Sequence, residues 1–290
     1  MPELPEVETV RAGLSRLLPS KRILSVTHDW AKSFPNAVAD VQEFLIGSTI
    51  LSVQRRAKVL IIELDSKYSL LIHLKMTGQL VYRGDQDFGA GHPNDSLVNE
   101  LPDKSTRVIF ELSGSAKLFF NDQRKFGWVK LVPSIEIPNT DFFKRVGPEP
   151  LSAEFTWQEF RERLQRRKNT NIKAAILDQS IIAGIGNIYA DESLWGAKIH
   201  PTTLVKNVSD VQIELLYQEA REVLQLSIDN GGSSNQTYVD AEGNKGNYMT
   251  FANVFKREGK PCNRCGTIII KTRVAARGTH LCPTCQKEPS

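Results

Sequence analysis

The last forty residues carry all four cysteines of the chain, spaced as Cys262-x2-Cys265 and Cys282-x2-Cys285 with sixteen residues between the pairs. No other feature restricts the fold so tightly. Four thiols at this spacing close either on one metal ion or on one another. The amino terminus is acidic and lacks the basic and apolar regions of a signal peptide, so a reducing compartment is expected, where disulfides do not persist. One zinc ion is the favoured reading and two disulfides the alternative. Four thiolates complete a tetrahedral ion and leave no open position, so zinc here is structural. It would hold a hairpin over 268–281, with Lys271, Arg273 and Arg277, in one shape.

Upstream, the hydrophobic period changes once. Segments 23–27, 49–55, 59–64, 70–74, 107–112, 117–121 and 128–132 alternate or run apolar and are rich in Val, Ile and Leu, which predicts strands. Short strands joined by turns suggest a β-sandwich or barrel, with an amino-terminal helix packed against it. The stretch 84–103, rich in Gly, Pro, Asn and Asp, reads as a long mobile surface loop. Pro133, Pro138, Pro148 and Pro150 then break any regular element. Beyond them the pattern predicts helices over 156–167, 172–178, 187–195 and 209–229, the last opened by a Ser209/Gln212 capping box. An α+β chain of three parts is expected: a helix-flanked β-sandwich over 1–133, a helical part over 134–250, and a zinc-finger hairpin over 251–290. No apolar run is long enough to span a bilayer, and a cytoplasmic protein is expected.

Charge is unevenly distributed. Residues 251–290 hold eight Lys and Arg against two Asp and Glu, whereas the other 250 hold 29 against 31. A second basic cluster comprises Arg161, Arg163, Arg166, Arg167, Lys168 and Lys173. Two basic clusters on a nearly neutral body suggest a polyanion partner, against the alternative of a solvated basic face.

Five further stretches have the residues for chemistry or contact. In Met1-Pro2-Glu3-Leu4-Pro5-Glu6-Val7-Glu8, Pro5 and the glutamates suit a helix start. If Met1 is removed, Pro2 also becomes a secondary amine able to form an iminium, with Glu3 beside it as an acid/base. Ala183-Gly184-Ile185-Gly186-Asn187 follows one predicted helix and opens the next. Taken alone it is a plain helix–helix connection, but with Asn187 as an N-cap its backbone N–H groups could face a phosphate, and Lys173 of the basic cluster just upstream is expected to contact DNA beside it. His73-Leu74-Lys75-Met76 and Gln123-Arg124-Lys125-Phe126-Gly127 put apolar residues among polar ones. Met76 and Phe126 are core residues on the bland reading, although Phe126 suits an exposed hairpin tip. Arg55-Arg56-Ala57-Lys58 ends one predicted strand and opens another.

Together these motifs resemble the formamidopyrimidine-DNA glycosylase family along the whole chain. Members begin Pro-Glu-Leu-Pro-Glu-Val-Glu after loss of methionine, carry Arg-Arg-Ala-Lys, and end much as Ala-Ala-Arg-Gly-Thr-His-Leu-Cys-Pro-Thr-Cys does here. The resemblance implies a base-excision repair enzyme that acts on damaged double-stranded DNA, removing oxidised purines and then nicking the abasic site as a lyase. It implies Pro2 as nucleophile, Glu3 as acid, Glu6 as support of the terminus, Lys58 as a catalytic assistant and Arg277 on the phosphate beside the lesion. It further implies DNA contacts by His73 and Asn187, and Met76, Arg124 and Phe126 as the side chains that fill the space of an extruded base. The helix pair around 183–187 would be a helix–two-turn–helix motif, DNA would lie in a cleft between domains, and residues 233–250, with Gly243, Lys245, Gly246 and Tyr248, would form a lesion-recognition loop. Association with the nucleoid, a monomeric state and no obligate protein partner follow as expectations. The chain departs from the family's Asp-Pro-Arg-Arg-Phe-Gly at Gln123 and Lys125, which predicts a less rigid loop. Two rivals remain at this point. The related endonuclease VIII branch prefers oxidised pyrimidines but usually has Gly where this chain has Leu4. A non-catalytic zinc-ribbon DNA-binding protein would need only the basic hairpin and helix pair.

Overall fold

Leu4, Val7, Val10 and Leu14 recur at helical spacing on α1 (Leu4–Leu17) and are all buried. Val7, Val10 and Leu14 close one side of a core shared with two antiparallel sheets. The computed structural model describes residues 2–233 and 247–288. Its chain divides into two units, Met1–Lys144 with Ile228–Tyr248, and Arg145–Ser227 with Met249–Ser290.

The first unit is a β-sandwich flanked by α1. One sheet has the order β1 (Ile23–His28), β7 (Thr106–Leu112), β8 (Ala116–Asp122), β5 (Gly78–Arg83), β6 (Phe88–Gly91). The other runs β2 (Ile50–Arg56), β3 (Val59–Leu64), β4 (Tyr68–His73), β9 (Trp128–Pro133). Leu60, Ile62, Leu70 and Ile72 from one sheet and Leu80, Val108, Phe110 and Phe120 from the other meet in the core. Each such burial contributes about 1.5–3 kcal/mol.

The seven expected strands are present. Two more, β5 and β6, were not anticipated, and the expected mobile loop over 84–103 is corrected: it contains β6 and a 3-10 turn at Asp95–Leu97. β6 reads Phe-Gly-Ala-Gly, a poor strand by propensity. Its glycines answer a packing need, because a Cβ on Gly91 would lie 2.5 Å from Gly78 O and 2.8 Å from Gln79 Cα. The rest of the segment is tied by polar side chains. Ser96 Oγ donates to Asp103 Oδ2 at 2.5 Å, and Gln79 Nε2 donates to Asn94 Oδ1 at 2.7 Å.

The second unit is helical, with α2 (Trp157–Gln165), α3 (Ile172–Leu177), α4 (Asn187–Gly196) and most of α5 (Asp210–Asp229), followed by the hairpin β10 (Ile270–Val274) and β11 (Arg277–Leu281). Side chains cap these helices where the residue types suggest. Thr156 accepts from Glu159 N, Asn171 accepts from Ala174 N, and Ser209 and Gln212 make the expected capping box. The α4 start differs from expectation: Gly186 is the N-cap and Asn187 the first helical residue. Among the described residues no helix is long and apolar enough to cross a membrane.

Candidate active site and nucleic-acid interface

Pro2, Glu3 and Glu6 are buried where the chain enters α1. Glu6 Oε2 accepts the Glu3 N–H at 2.8 Å, half of a capping box, and Glu6 Oε1 accepts the Ser233 N–H at 2.8 Å. Glu6 thus fixes the backbone of Glu3 and carries a second segment of the same unit. One turn further, Glu8 holds Arg11 at 2.7 Å and Arg55 at 2.8 Å. Arg55 also donates through Nη1 to Ala57 O at 2.8 Å. This fork, a geometry available to arginine and not lysine, ties the Ala57-Lys58 turn to α1. Lys58 lies in that turn, directly before β3, and is buried.

Val59 and His73 face each other in register, which brings Lys58 near His73 at the end of β4. His73 is buried against Trp128 and Phe142, with ring centroids 5.7 and 5.5 Å away. Its Nδ1 accepts the Lys75 N–H at 3.0 Å, leaving the proton on Nε2. Burial, helped by the charges of Lys75 and Lys58, pushes its pKa down to about 3. His73 is therefore a neutral donor over the whole physiological range.

Met76 and Phe126 are 38% and 52% exposed, unlike core residues. Arg124 is exposed too, and its guanidinium lies 4.9 Å from the Phe126 ring centroid. A backbone feature links four candidate positions. Lys58, Met76, Phe126 and Arg277 each directly follow a non-glycine residue in the left-handed region: Ala57 (φ 54°), Lys75 (φ 51°), Lys125 (φ 57°) and Ala276 (φ 59°). Such residues cost about 1–2 kcal/mol each, and Ser20, Lys67, Ser115, Lys198, Lys256 and Ala275 share the conformation in turns.

In the second unit, Arg277 is exposed at the start of β11. The neighbouring Gly278 O accepts from Asn187 Nδ2 at 2.9 Å and from Lys173 Nζ at 3.2 Å. Lys173 was expected at a DNA phosphate, and the structure corrects this. Its side chain is fully buried, 2.6 Å from Asp191 Oδ1 and 2.7 Å from Thr279 Oγ1, so its charge is spent inside the protein. Much of the surrounding basic cluster is also neutralised: Arg161 pairs with Asp210, Arg163 with Glu159 and Arg167 with Asp178. Nor is the Gly184 N–H open to an anion, because it donates to Gln179 Oε1 at 3.0 Å. Of the expected lesion loop, residues 234–246, with Gly243, Lys245 and Gly246, lie outside the described residues, and Tyr248 is buried.

The cysteine reading is met. The Sγ atoms of Cys262, Cys265, Cys282 and Cys285 lie within 4.8 Å of one another and none is disulfide-bonded. Distances of 3.9 Å (262 to 285) and 3.5 Å (265 to 282 and 265 to 285) suit a tetrahedral ion, whose Zn–S bonds of about 2.3 Å put sulfurs roughly 3.8 Å apart. These four residues are positioned to bind one zinc ion. Hydrogen bonds from the Thr267 hydroxyl and backbone N–H hold the Cys265 thiol down to about 6, whereas burial pushes the Cys282 thiol up and the Cys285 thiol up to about 12, so one sulfur ionises readily and those two need the cation to do so. Trp195 Nε1 reaches Cys262 Sγ at 3.4 Å, and Arg264 stacks 3.9 Å above the Trp195 ring, joining the end of α4 to the metal site.

Two acidic residues of α4 escaped the sequence reading. Asp191 joins Lys173 to the hairpin through the His280 N–H at 2.9 Å. Glu192 accepts backbone N–H groups of Asn253, Val254 and Phe255 at 2.7–2.9 Å, and its burial pushes its pKa up. The nearly all-apolar surroundings of the Asp-Glu pair in a helix were the only local signal available.

Known proteins resemble this chain over nearly its full length. The model for the formamidopyrimidine-DNA glycosylase N-terminal domain matches residues 1–129, that for the formamidopyrimidine-DNA glycosylase H2TH domain residues 146–239, and that for a zinc finger found in FPG and IleRS residues 259–287. The formamidopyrimidine-DNA glycosylase of Pelotomaculum thermopropionicum is 42% identical over 288 residues, covering 99% of both chains. The structure of Lactococcus lactis Fpg with DNA containing an abasic site superposes with a TM-score of 0.87 at 34% identity, covering 99% of this chain and 100% of that one. A structure of MutM with DNA containing carbocyclic 8-oxo-G gives 0.86 at 33% identity and the same coverage.

Proposed function

The chain belongs to the formamidopyrimidine-DNA glycosylase family, and on that premise we propose that it removes 8-oxoguanine and ring-opened formamidopyrimidines from duplex DNA and then cleaves the strand at the abasic site. The observation that carries this reading to the residues is the start of α1, where Pro2 and Glu3 are buried together and Glu6 fixes the Glu3 backbone.

The steps follow from the chemistry of those groups. Lys, Arg and backbone N–H groups neutralise phosphates on a bent duplex. The damaged nucleotide leaves the stack, and Met76, Arg124 and Phe126 occupy its place. Once Met1 is removed, the Pro2 nitrogen is a secondary amine. Its lone pair forms a bond to C1′, the bond from C1′ to the base breaks, and the base departs with that electron pair and takes up the proton released by the Pro2 nitrogen, which regains a lone pair. Glu3 protonates the ring oxygen O4′ as the sugar opens, leaving an iminium on Pro2. The iminium acidifies the C2′ protons. Loss of one expels the 3′ phosphate, and a second elimination expels the 5′ phosphate. Lys58 and Arg277 assist at the sugar and at the neighbouring phosphate, and His73 and Asn187 contact the backbone. One zinc ion on Cys262, Cys265, Cys282 and Cys285 supplies structure to the Arg277 hairpin and no chemistry. In this reading residues 1–133 carry the nucleophile, 134–250 the helix pair and lesion contacts, and 251–290 the zinc finger. We infer that the protein acts as a monomer, without an obligate protein partner, on cytoplasmic DNA.

Borohydride trapping tests the proposal. Protein shown by mass spectrometry to lack Met1 is mixed with duplexes carrying 8-oxoguanine, thymine glycol or an abasic site. A covalent adduct on 8-oxoguanine that vanishes with Pro2→Gly is expected. Trapping on thymine glycol alone would overturn the purine preference. Tight DNA binding with no adduct on any duplex would overturn the enzymatic reading.

A further inference from the structure

Asp122 ends β8, is fully buried, and has no part in the steps above. Its carboxylate gathers two separate segments. On Oδ1 it accepts the hydroxyl proton of Thr77 and the Arg124 N–H, the latter at 3.2 Å. On Oδ2 it accepts the Phe126 N–H at 2.8 Å and the Gly127 N–H at 2.6 Å. Thr77 Oγ1 in turn accepts the Arg124 N–H at 3.1 Å, because a hydroxyl that donates its one hydrogen still has lone pairs with which to accept. The carboxylate itself is anchored from behind. Arg107 Nε donates to Asp122 O at 3.0 Å, and Asp122 N donates to Ser105 O at 2.8 Å. In the sheet, Asp122 faces Gly78 in register, so the turn that ends at Gly78 and the loop that begins at Asp122 emerge side by side.

We propose that Asp122 is a positioning residue that sets Met76, Arg124 and Phe126 as one rigid unit. Thr77 adjoins Met76, and the Arg124 and Phe126 backbones hang from the same carboxylate. An ionised carboxyl group offers acceptors only, which suits four converging donors. This supplies by hydrogen bonding the rigidity that Gln123, in place of a proline, does not supply by its ring. Its use in filling the space of an extruded base rests on the proposed function; the tie between the two segments does not.

Two variants separate these claims. Asp122→Asn keeps the shape but turns an NH2 group toward N–H or O–H donors on one side. Thr77→Val keeps the shape and cuts only the link to the Met76 turn, and Thr77→Ser restores it. Hydrogen exchange on the full zinc-loaded chain without Met1 reads the tie directly. Asp122→Asn should speed exchange at Arg124, Phe126 and Gly127, and Thr77→Val at Arg124, with Thr77→Ser like the parent. No change with Asp122→Asn, or a change with it but none with Thr77→Val, overturns the tie. Single-turnover cleavage reads the use. Since misplacing groups by about 1 Å can cost roughly 100-fold, excision of 8-oxoguanine by Asp122→Asn should fall about 10- to 100-fold, with a much smaller loss on a ready-made abasic site. Equal loss on both substrates overturns the positioning role and marks general destabilisation. A parent protein that excises nothing would overturn the functional reading, while the exchange data still decide the tie.

Discussion

The Lys173 ammonium lies 2.6 Å from Asp191 Oδ1, and neither side chain has any exposed surface. The same ammonium binds Thr279 Oγ1 and Gly278 O, and the other oxygen of Asp191 takes the His280 N–H. A buried ion pair is only as good as its full set of hydrogen bonds, and here nearly every site is used. Removing one partner leaves a charge in a dry place. Lys173→Met is expected to cost about 3–5 kcal/mol of stability in urea unfolding of the zinc-loaded protein. The double variant Lys173→Met/Asp191→Asn should cost less than the sum of the singles. Strict additivity would show that the two groups do not depend on each other.

His73 gives a pH dependence with a definite sign. Its pKa is about 3 in the folded chain, against about 6.5 when unfolded. Between these values the unfolded chain binds more protons, so its contribution is complete above about 6.5 and is lost as the pH falls toward 3. The slope from this one group is at most about 1.4 kcal/mol per pH unit. His73→Gln should flatten the acid side of the stability curve by that amount, and an unchanged slope would show that His73 carries no such shift. Near neutral pH, the difference in DNA affinity between His73→Gln and the parent should not vary with pH, because a neutral Nε2–H donor does not titrate there.

Removing the metal should loosen more than the hairpin. Without a cation four sulfurs held within 4.8 Å do not all stay ionised, since burial pushes the Cys285 thiol up to about 12, and protons then take the place of the bonds that close the cluster. Chelation is therefore expected to shift the fluorescence of Trp195, whose ring nitrogen lies 3.4 Å from Cys262 Sγ, and to weaken DNA binding together with release of one zinc per chain. Loss of zinc with DNA affinity intact would show that the hairpin does not need the ion.

Gly78 closes the turn that carries Met76, with its N–H on Leu74 O at 2.9 Å. A Cβ there would lie 2.4 Å from Leu74 O and 2.7 Å from Leu74 Cα, both backbone atoms that cannot swing aside. Gly78→Ala should lower stability by about 1–3 kcal/mol and disturb the Met76 turn. A melting temperature equal to the parent's would show that the backbone relaxes at no cost.

Some of this architecture could be read directly from the chain, because it depends on neighbours in sequence. Alternation of Val, Ile and Leu marked seven strands, caps such as Ser209 with Gln212 marked helix starts, and two Cys-x2-Cys pairs marked the metal site. The solvent exposure of Phe126 was also visible, since polar residues surround it. What the chain alone left undecided depends on groups brought from afar. β6 is a strand because Gly91 fits against Gly78 and Gln79, not because Phe-Gly-Ala-Gly favours extension. Lys173 read as a surface cation until Asp191, eighteen positions on, and Thr279, 106 positions on, enclosed it. The wedge loop at 123–127 read as loose until Thr77, 45 positions before Asp122, completed its anchor. Local periodicity and capping act over a few residues and so survive in the sequence. Burial of a charge and sharing of one carboxylate by two segments are decided by desolvation and by which distant donors arrive, and only the tertiary structure brings those together.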